Sequence, residues 1–293
     1  MLLITGAGGK TGRTLIKALS KAESICALVH REEYVSISKS LGAEKVIVGD
    51  MHDESAIRSA MESVRAVYHI CPNMSPDERV IGKLVIGEAH KAGVDHFAYH
   101  SVLHPQTEKM NHHWQKFRME EMIFESGLPF TILQPAPYMQ NLLAGWKSIV
   151  DDGVLRVPYS VHSKFSFVHL DDVAEAAKII LTESNHKNAT YELAGTLPMS
   201  HAEVAELFSR MLKRDIRAEK EEISDWRLRA EPSFEGTQSK RDEYALENLV
   251  RMFEYYDQWG LVGNPNVLRW LLRREPTSVE AFIERTLKEH DSI

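Results

Sequence analysis

Cysteine is nearly absent from this sequence: Cys26 and Cys71 are the only two in 293 residues. A chain of that length can bury a core without disulfide staples, and so sparse a supply excludes the bonded framework of small secreted domains. One cysteine falls inside a predicted strand and the other just after another. That fits a reducing compartment, and the cytoplasm is the expected location. Long apolar runs are missing as well. Charged residues or histidines interrupt every candidate before it reaches the roughly 18 residues a membrane-crossing helix needs, so no membrane is expected. After Met1 the residues Leu-Leu-Ile-Thr read as a strand, so a basic, apolar, cleavable leader is not expected either. Nor is there a block of lysine and arginine. The net charge is −7, and the mixed run from Lys213 to Glu222 reads as a solvated helix or strand edge, which argues against direct nucleic-acid binding. Internal repeats and low-complexity tracts are absent too.

What the sequence does have is a rhythm. Short apolar runs predict six strands, Leu2 to Thr5, Ile25 to Val29, Lys45 to Val48, Ala66 to Ile70, His96 to His100 and Phe130 to Gln134. Uninterrupted runs of this kind belong to strands covered on both faces. Between them lie helical patterns, such as Leu15, Ile16, Leu19 and Ala22, or Leu84, Val85 and Ala89, each presenting one apolar stripe. Alternation of this sort, with right-handed crossovers, specifies a Rossmann-type, doubly wound parallel α/β sheet. Beyond about residue 145 the rhythm loosens into an α+β pattern. Lys164 to His169 and Tyr191 to Leu193 read as strands, Asp171 to Leu181 and His201 to Leu212 as helices, and Asp171-Asp172 as a helix cap. The stretch Glu231 to Lys240, with Pro232 and Gly236, reads as a surface loop or a lid. The expected organisation is a nucleotide-binding domain over residues 1–150 and a smaller C-terminal substrate lobe over 151–293, interleaved with the first and binding ligands against it.

The turn from the first strand to the first helix is Thr5-Gly6-Ala7-Gly8-Gly9-Lys10-Thr11-Gly12-Arg13, in which Gly6, Gly9 and Gly12 form G-x-x-G-x-x-G. A pyrophosphate must approach main-chain N–H groups at a positively polarised helix start, and the turn needs backbone angles that a Cβ forbids. Gly6, Gly8, Gly9, Lys10, Thr11 and Gly12 are therefore cofactor-binding candidates. At the end of the second strand, where NAD-preferring folds place an acid on the ribose 2′-hydroxyl, stand His30 and Arg31, with Glu32 and Glu33 later. A 2′-phosphate would meet a guanidinium first, so NADP(H) is favoured and NAD(H) possible; alternatively, Arg31 is a solvated loop residue. Asp50 and Met51 close the third strand, where the acid can accept from the adenine amino group and the Met can pack on the ring; Asp50 could equally cap the next helix.

Ligands of open α/β sheets lie beyond the carboxyl ends of the strands. Those ends carry Cys71-Pro72-Asn73, Ser101, and Pro135 to Asn141, which includes Tyr138. Between the last two, a helix begins at His112-His113-Trp114-Gln115-Lys116. His112, Lys116 and Glu120 are four apart and share a face, and His113 is within reach of Lys116. A lysine there can bond the cofactor ribose, and a histidine titrating near neutrality can supply a proton; a plain surface helix with charge pairs is the alternative. A metal site among His100, His104, His112 and His113 is a third reading. Because the chain offers no HExxH helix and no cysteine partners, no metal is expected.

With these residues in view, the chain resembles the NmrA-like family of atypical short-chain dehydrogenase/reductases nearly end to end. The resemblance rests on Gly6, Gly9, Gly12 and Arg13, on Gly49-Asp50, and on Lys116 and Glu120 leading into Ser126-Gly127-Leu128-Pro129-Phe130-Thr131. It continues through Leu133-Gln134-Pro135, Tyr138 with Asn141, and the stretch from Tyr255-Tyr256 to Gly260-Leu261. It implies an NADPH-dependent reductase of quinones, azo dyes or triphenylmethane dyes, or a non-catalytic protein that senses the nicotinamide pool and binds a regulatory partner. A homodimer is a further possibility. It also implies a ribose contact for Lys116, a proton source in His113 or His112, and a small-molecule substrate lined by Tyr138 and Asn141. Two departures stand out. Ordinary short-chain dehydrogenases carry Tyr-x-x-x-Lys, and the position four before Lys116 is His112. Many NADP-using relatives place Arg where this chain has His30.

Overall fold

The strands of the first half form where uninterrupted apolar runs meet helices on both sides. They are β1 (Leu2–Ile4), β2 (Ile25–Val29), β3 (Lys45–Val48), β4 (Ala66–His69), β5 (His96–His100) and β6 (Phe130–Pro135). These bounds match the six expected strands to within a residue. The computed structural model describes residues 1–230 and 240–290, so the Pro232 and Gly236 stretch lies outside the described residues. The connecting helices are α1 (Lys10–Leu19), α2 (Glu33–Ser40), α3 (Glu54–Met61), α4 (Glu78–Ala92) and α5 (Asn111–Phe124). In α1 the stripe Leu15, Ile16 and Leu19 is fully buried, each side chain stabilising by roughly 1.5–3 kcal/mol. Asp53 caps α3 by accepting from Ser55 N at 2.8 Å, so the cap of the helix after β3 is Asp53 and not Asp50. Gly93 stops α4 in the left-handed region at φ 64°.

The second half adds β7 (Val154–Val157), β8 (Lys164–Phe165), β9 (Ala189–Leu193), β10 (Met199–Ser200) and β11 (Arg217–Lys220). Its helices are α6 (Trp146–Asp152), α7 (Leu170–Thr182), α8 (His201–Leu212), α9 (Ile223–Ala230), α10 (Lys240–Trp259), α11 (Asn266–Leu272) and α12 (Val279–His290). The strand expected from Lys164 to His169 is shorter, because past Phe165 the backbone bonds irregularly: Ser166 N donates to Leu261 O and Val168 N to Pro137 O, both at 3.0 Å.

The main sheet has the order β3-β2-β1-β4-β5-β6-β9. The pairs from β3 to β6 are parallel. The order reverses between β1 and β4, and that switch point opens a crevice at their carboxyl ends. The outermost strand, β9, comes from far down the chain, although the sequence reading gives Tyr191 to Leu193 to the C-terminal lobe. Asn188 N donates to Phe130 O at 2.5 Å and Ala136 N to Leu193 O at 3.1 Å, which seats it beside β6.

Two compact units result. The first holds Met1–Glu108, His112–Gln134 and Val173–Tyr191; the second holds Lys109–Asn111, Pro135–Asp172 and Glu192–Ile293. Within the second, Asp172 is buried and accepts from Arg274 Nη2 and Thr277 N, each at 2.7 Å, so one carboxylate ties the start of α7 to the segment before α12. Among the described residues no helix is long and apolar enough to cross a membrane.

Candidate functional site

The loop between β1 and α1 sits over the switch point, pinned by Thr5 N donating to Tyr68 O and Ala7 N to Leu28 O, both at 3.1 Å. Its glycines serve different ends. Gly6 has φ +60° and a Cβ there would lie 2.8 Å from Ile70 O; a Cβ on Gly12 would lie 2.5 Å from Ala7 Cα. Those two positions build the turn itself. A Cβ on Gly8 would strike the Tyr34 ring at 2.7 Å, whereas one on Gly9 would meet only Gly6 O, at 3.4 Å. Gly9 is also the N-cap of α1, in extended conformation, and among the described residues no side chain caps it. The first-turn N–H groups of a helix have no partners within it; here they follow a glycine whose Cβ position is open, with Lys10 exposed and Thr11 half-buried. A dinucleotide pyrophosphate fits such a cradle on both charge and space.

At the end of β2, His30 and Arg31 are exposed. The Arg31 guanidinium pairs with Glu33 at 3.3 Å, and the His30 ring lies 5.3 Å from that of Tyr34. Asp50 Oδ1 accepts from His52 N at 2.9 Å and faces His52 Nδ1 at 2.7 Å. Met51 is built into the core cluster that also holds Cys71. Burial pushes the Cys71 thiol well above its usual range, while Pro72 and Asn73 beside it are exposed.

Past β4 and β5, polar side chains gather behind the crevice. Lys116 of α5 is buried and its Nζ donates to Glu78 Oε1 at 3.0 Å and to His100 O at 3.3 Å, with Tyr99 Oη at 3.5 Å. Tyr99 donates its own hydroxyl to the same Glu78 oxygen at 2.6 Å. Glu120, four residues on from Lys116 in α5 and also buried, has its own partners: Gln134 Nε2 donates to its two oxygens at 2.9 and 3.0 Å, and the Ser101 hydroxyl donates to it as well. Burial raises the Glu120 carboxyl above its usual range.

The histidines depart from expectation. His113 is read from sequence as titrating near neutrality, but burial lowers it to about 4. His112 falls well below its usual value for the same reason, and His100 to about 3. Desolvation disfavours the imidazolium, so all three are neutral at pH 7. His113 directs Nδ1 at His104 O, 3.2 Å away, and meets His112 edge-on at 4.4 Å. Pro135, Tyr138 and Asn141 belong to the second unit, where Pro135 is buried, Tyr138 is half-buried and Asn141 exposed. Among the described residues no group of three or more His, Cys, Asp or Glu is placed to hold a metal ion.

The family profile described as NmrA-like matches residues 1–286. The chain belongs to the NmrA-like family. It is 29% identical over 197 residues to quinone oxidoreductase 2 of Escherichia coli, covering 67% of this chain and 68% of that one. Among solved structures, the Escherichia coli NADPH-dependent quinone oxidoreductase with NADPH superposes with TM-score 0.83 at 23% identity, over 98% of this chain and 100% of that one. NmrA, a negative transcriptional regulator solved with NADP, gives TM-score 0.77 at 17% identity, over 100% and 98%.

For this NmrA-like chain, sequence reasoning misses Glu78 and Tyr99. Glu78 opens α4, where an acid is ordinary near the positive end of any helix, and Tyr99 reads as one more apolar strand residue. Only the sheet order, which sets β4 beside β5, brings them to Lys116.

Proposed function

We propose that this chain is an NADPH-dependent reductase that delivers hydride to a small, flat, electron-poor acceptor such as a quinone. The observation that carries the reading is the uncapped start of α1 behind the open Gly9, at the switch point of a parallel sheet. The family's quinone-reducing relative supports the acceptor class. When bound, NADPH supplies the hydride. Gly6, Gly8, Gly9, Lys10, Thr11 and Gly12 would hold the pyrophosphate. His30 and Arg31 would select the 2′-phosphate, and Asp50, Met51, Cys71, Pro72, Asn73 and Ser101 would line the rest of the nucleotide. Lys116 would orient the ribose. Hydride and one proton convert a quinone to a hydroquinone. With His112 and His113 neutral, they act as hydrogen-bonding groups, and the proton is drawn from solvent. A quinone needs little beyond proximity and orientation, so a phenol four residues before Lys116 is dispensable. The two buried free thiols, Cys26 and Cys71, suit the cytoplasm.

A second reading, NADP(H) binding that alters affinity for a protein partner without turnover, draws on two observations: burial holds the His112 and His113 imidazoles neutral, and Lys116 is already paired. NADPH consumption over a panel of quinones and azo dyes, with NADPH binding followed by calorimetry, decides between them. Turnover supports the reductase; tight binding with no turnover on any acceptor supports the sensor.

A further inference from the structure

We propose that Glu78 is a positioning residue of this site. It holds the Lys116 ammonium in a closed ion pair and leaves it one proton to offer a ligand. The inference rests on the reductase reading, in particular on the placement of Lys116 at the cofactor.

The two residues come from different helices, Glu78 from the first turn of α4 and Lys116 from α5. Their side chains are 3% and 9% exposed and 3.0 Å apart. Two charges this deep persist only when the geometry is good and further hydrogen bonds satisfy what remains of each group. Both conditions hold here. Glu78 Oε1 receives the Tyr99 hydroxyl as well as Lys116, and the Cys71 thiol is a further hydrogen-bonding neighbour of the same carboxylate. Lys116 also lies over the Tyr99 ring, 5.2 Å from its centroid.

An ammonium has three protons. One goes to Glu78 and one to His100 O, both at ordinary distances, while the third faces Tyr99 Oη at 3.5 Å. That third contact is the longest, and Tyr99 keeps its own bond to Glu78 when it is given up. Lys116 can therefore turn one proton to a ribose hydroxyl without opening the ion pair. The carboxylate also cancels most of the long-range field of the ammonium, so what reaches a ligand is a directed hydrogen bond and not a free charge. A purely structural salt bridge would make no such demand, because a matched neutral pair can replace it without loss of stability. That contrast supplies the test.

Four full-length variants are compared with the unmodified chain: Lys116→Met, Glu78→Gln, Glu78→Asp, and Glu78→Gln with Lys116→Met. Each is followed by thermal unfolding, by NADPH affinity in calorimetry, and by kcat and KM for benzoquinone. Glu78→Gln is expected to weaken NADPH binding about fivefold and lower kcat about tenfold, with KM for benzoquinone within twofold. Glu78→Asp keeps the charge but draws it back, and is expected to recover stability while remaining impaired in NADPH affinity. The double variant is expected to regain the melting temperature lost by either single change, but not the NADPH affinity. If Lys116→Met loses affinity while Glu78→Gln and Glu78→Asp keep it, Glu78 is structural only and the proposal is overturned. If Lys116→Met itself leaves affinity and turnover intact, the placement of Lys116 at the cofactor fails, and that arm identifies which idea was wrong. Should Glu78→Gln fail to fold, Glu78→Asp and the double variant carry the same comparison.

Discussion

The glycine loop and the cluster around Lys116 stand at the ends of neighbouring strands but are made of opposite materials. The loop is built from main chain, over one short run of residues, and its side chains matter mainly by being absent. The cluster is built from side chains of β5, β6, α4 and α5, buried and bonded to one another. A site of the first kind tolerates changes of charge and fails on added volume; a site of the second kind tolerates volume better than it tolerates an unpaired charge.

The sharpest way to break this comparison is to exchange the insults. Gly9→Val should lower NADPH affinity by at least about a hundredfold while the melting temperature stays near that of the parent, because its Cβ meets only Gly6 O, at 3.4 Å. Gly12→Ala, which would drive a Cβ to 2.5 Å from Ala7 Cα, should instead cost the fold. Calorimetry and thermal melts separate the two, and equal behaviour would show that the loop's glycines are not divided in this way. In the cluster, Lys116→Met leaves Glu78 buried and unpaired, and chemical denaturation should register a loss of about 3–5 kcal/mol.

A smaller effect is expected from acid. Burial holds His69 and His113 at about 4 and His100 at about 3, against about 6.5 in an unfolded chain. Below pH 6.5 the unfolded state binds more protons, so stability should be level above that point and fall as pH descends from 6.5 toward 4. Melting temperatures across that window check the sign, and His113→Asn should flatten part of the slope. The same depression means that His113→Asn should leave the shape of the rate–pH profile between 6 and 8 unchanged; the loss of a limb there would restore His113 as the proton donor. The smallest effect belongs to the edge of the loop. Arg31→Ala should narrow the preference for NADPH over NADH, and Glu33→Gln should widen it by less than about tenfold, as befits an exposed pair. Competitive titration with the two cofactors measures both.

How far each region could be read from sequence follows from the same difference. The strands β1 to β6 and the loop are local: apolar runs, glycine spacing and a following amphipathic stripe lie within a few residues of one another. The helix α8 is equally local, opening with the Ser200 and Glu203 capping box. The cluster is not. Glu78 and Lys116 meet only because the sheet order sets β4 beside β5, and no spacing rule relates them. The titration of His113 escapes for a similar reason, since its pKa depends on what buries it. The place of β9 was hidden too, because Tyr191 to Leu193 looks the same whether it pairs locally or with a strand made much earlier.

That borrowed strand has a consequence for how the molecule comes into being. The edge of β6 away from β5 acquires its neighbour only after α6, β7, β8 and α7 have been synthesised. Contacts so distant in sequence are slow to form, because loop closure must precede any gain. During translation, β6 therefore waits as an open edge with unpaired N–H and C=O groups, the kind of surface that recruits strands from other chains. A gene fragment ending near residue 150 would make that waiting state permanent. The seven-stranded sheet is completed only by residues from the second half of the chain, and one edge of β6 stays open until β9 emerges.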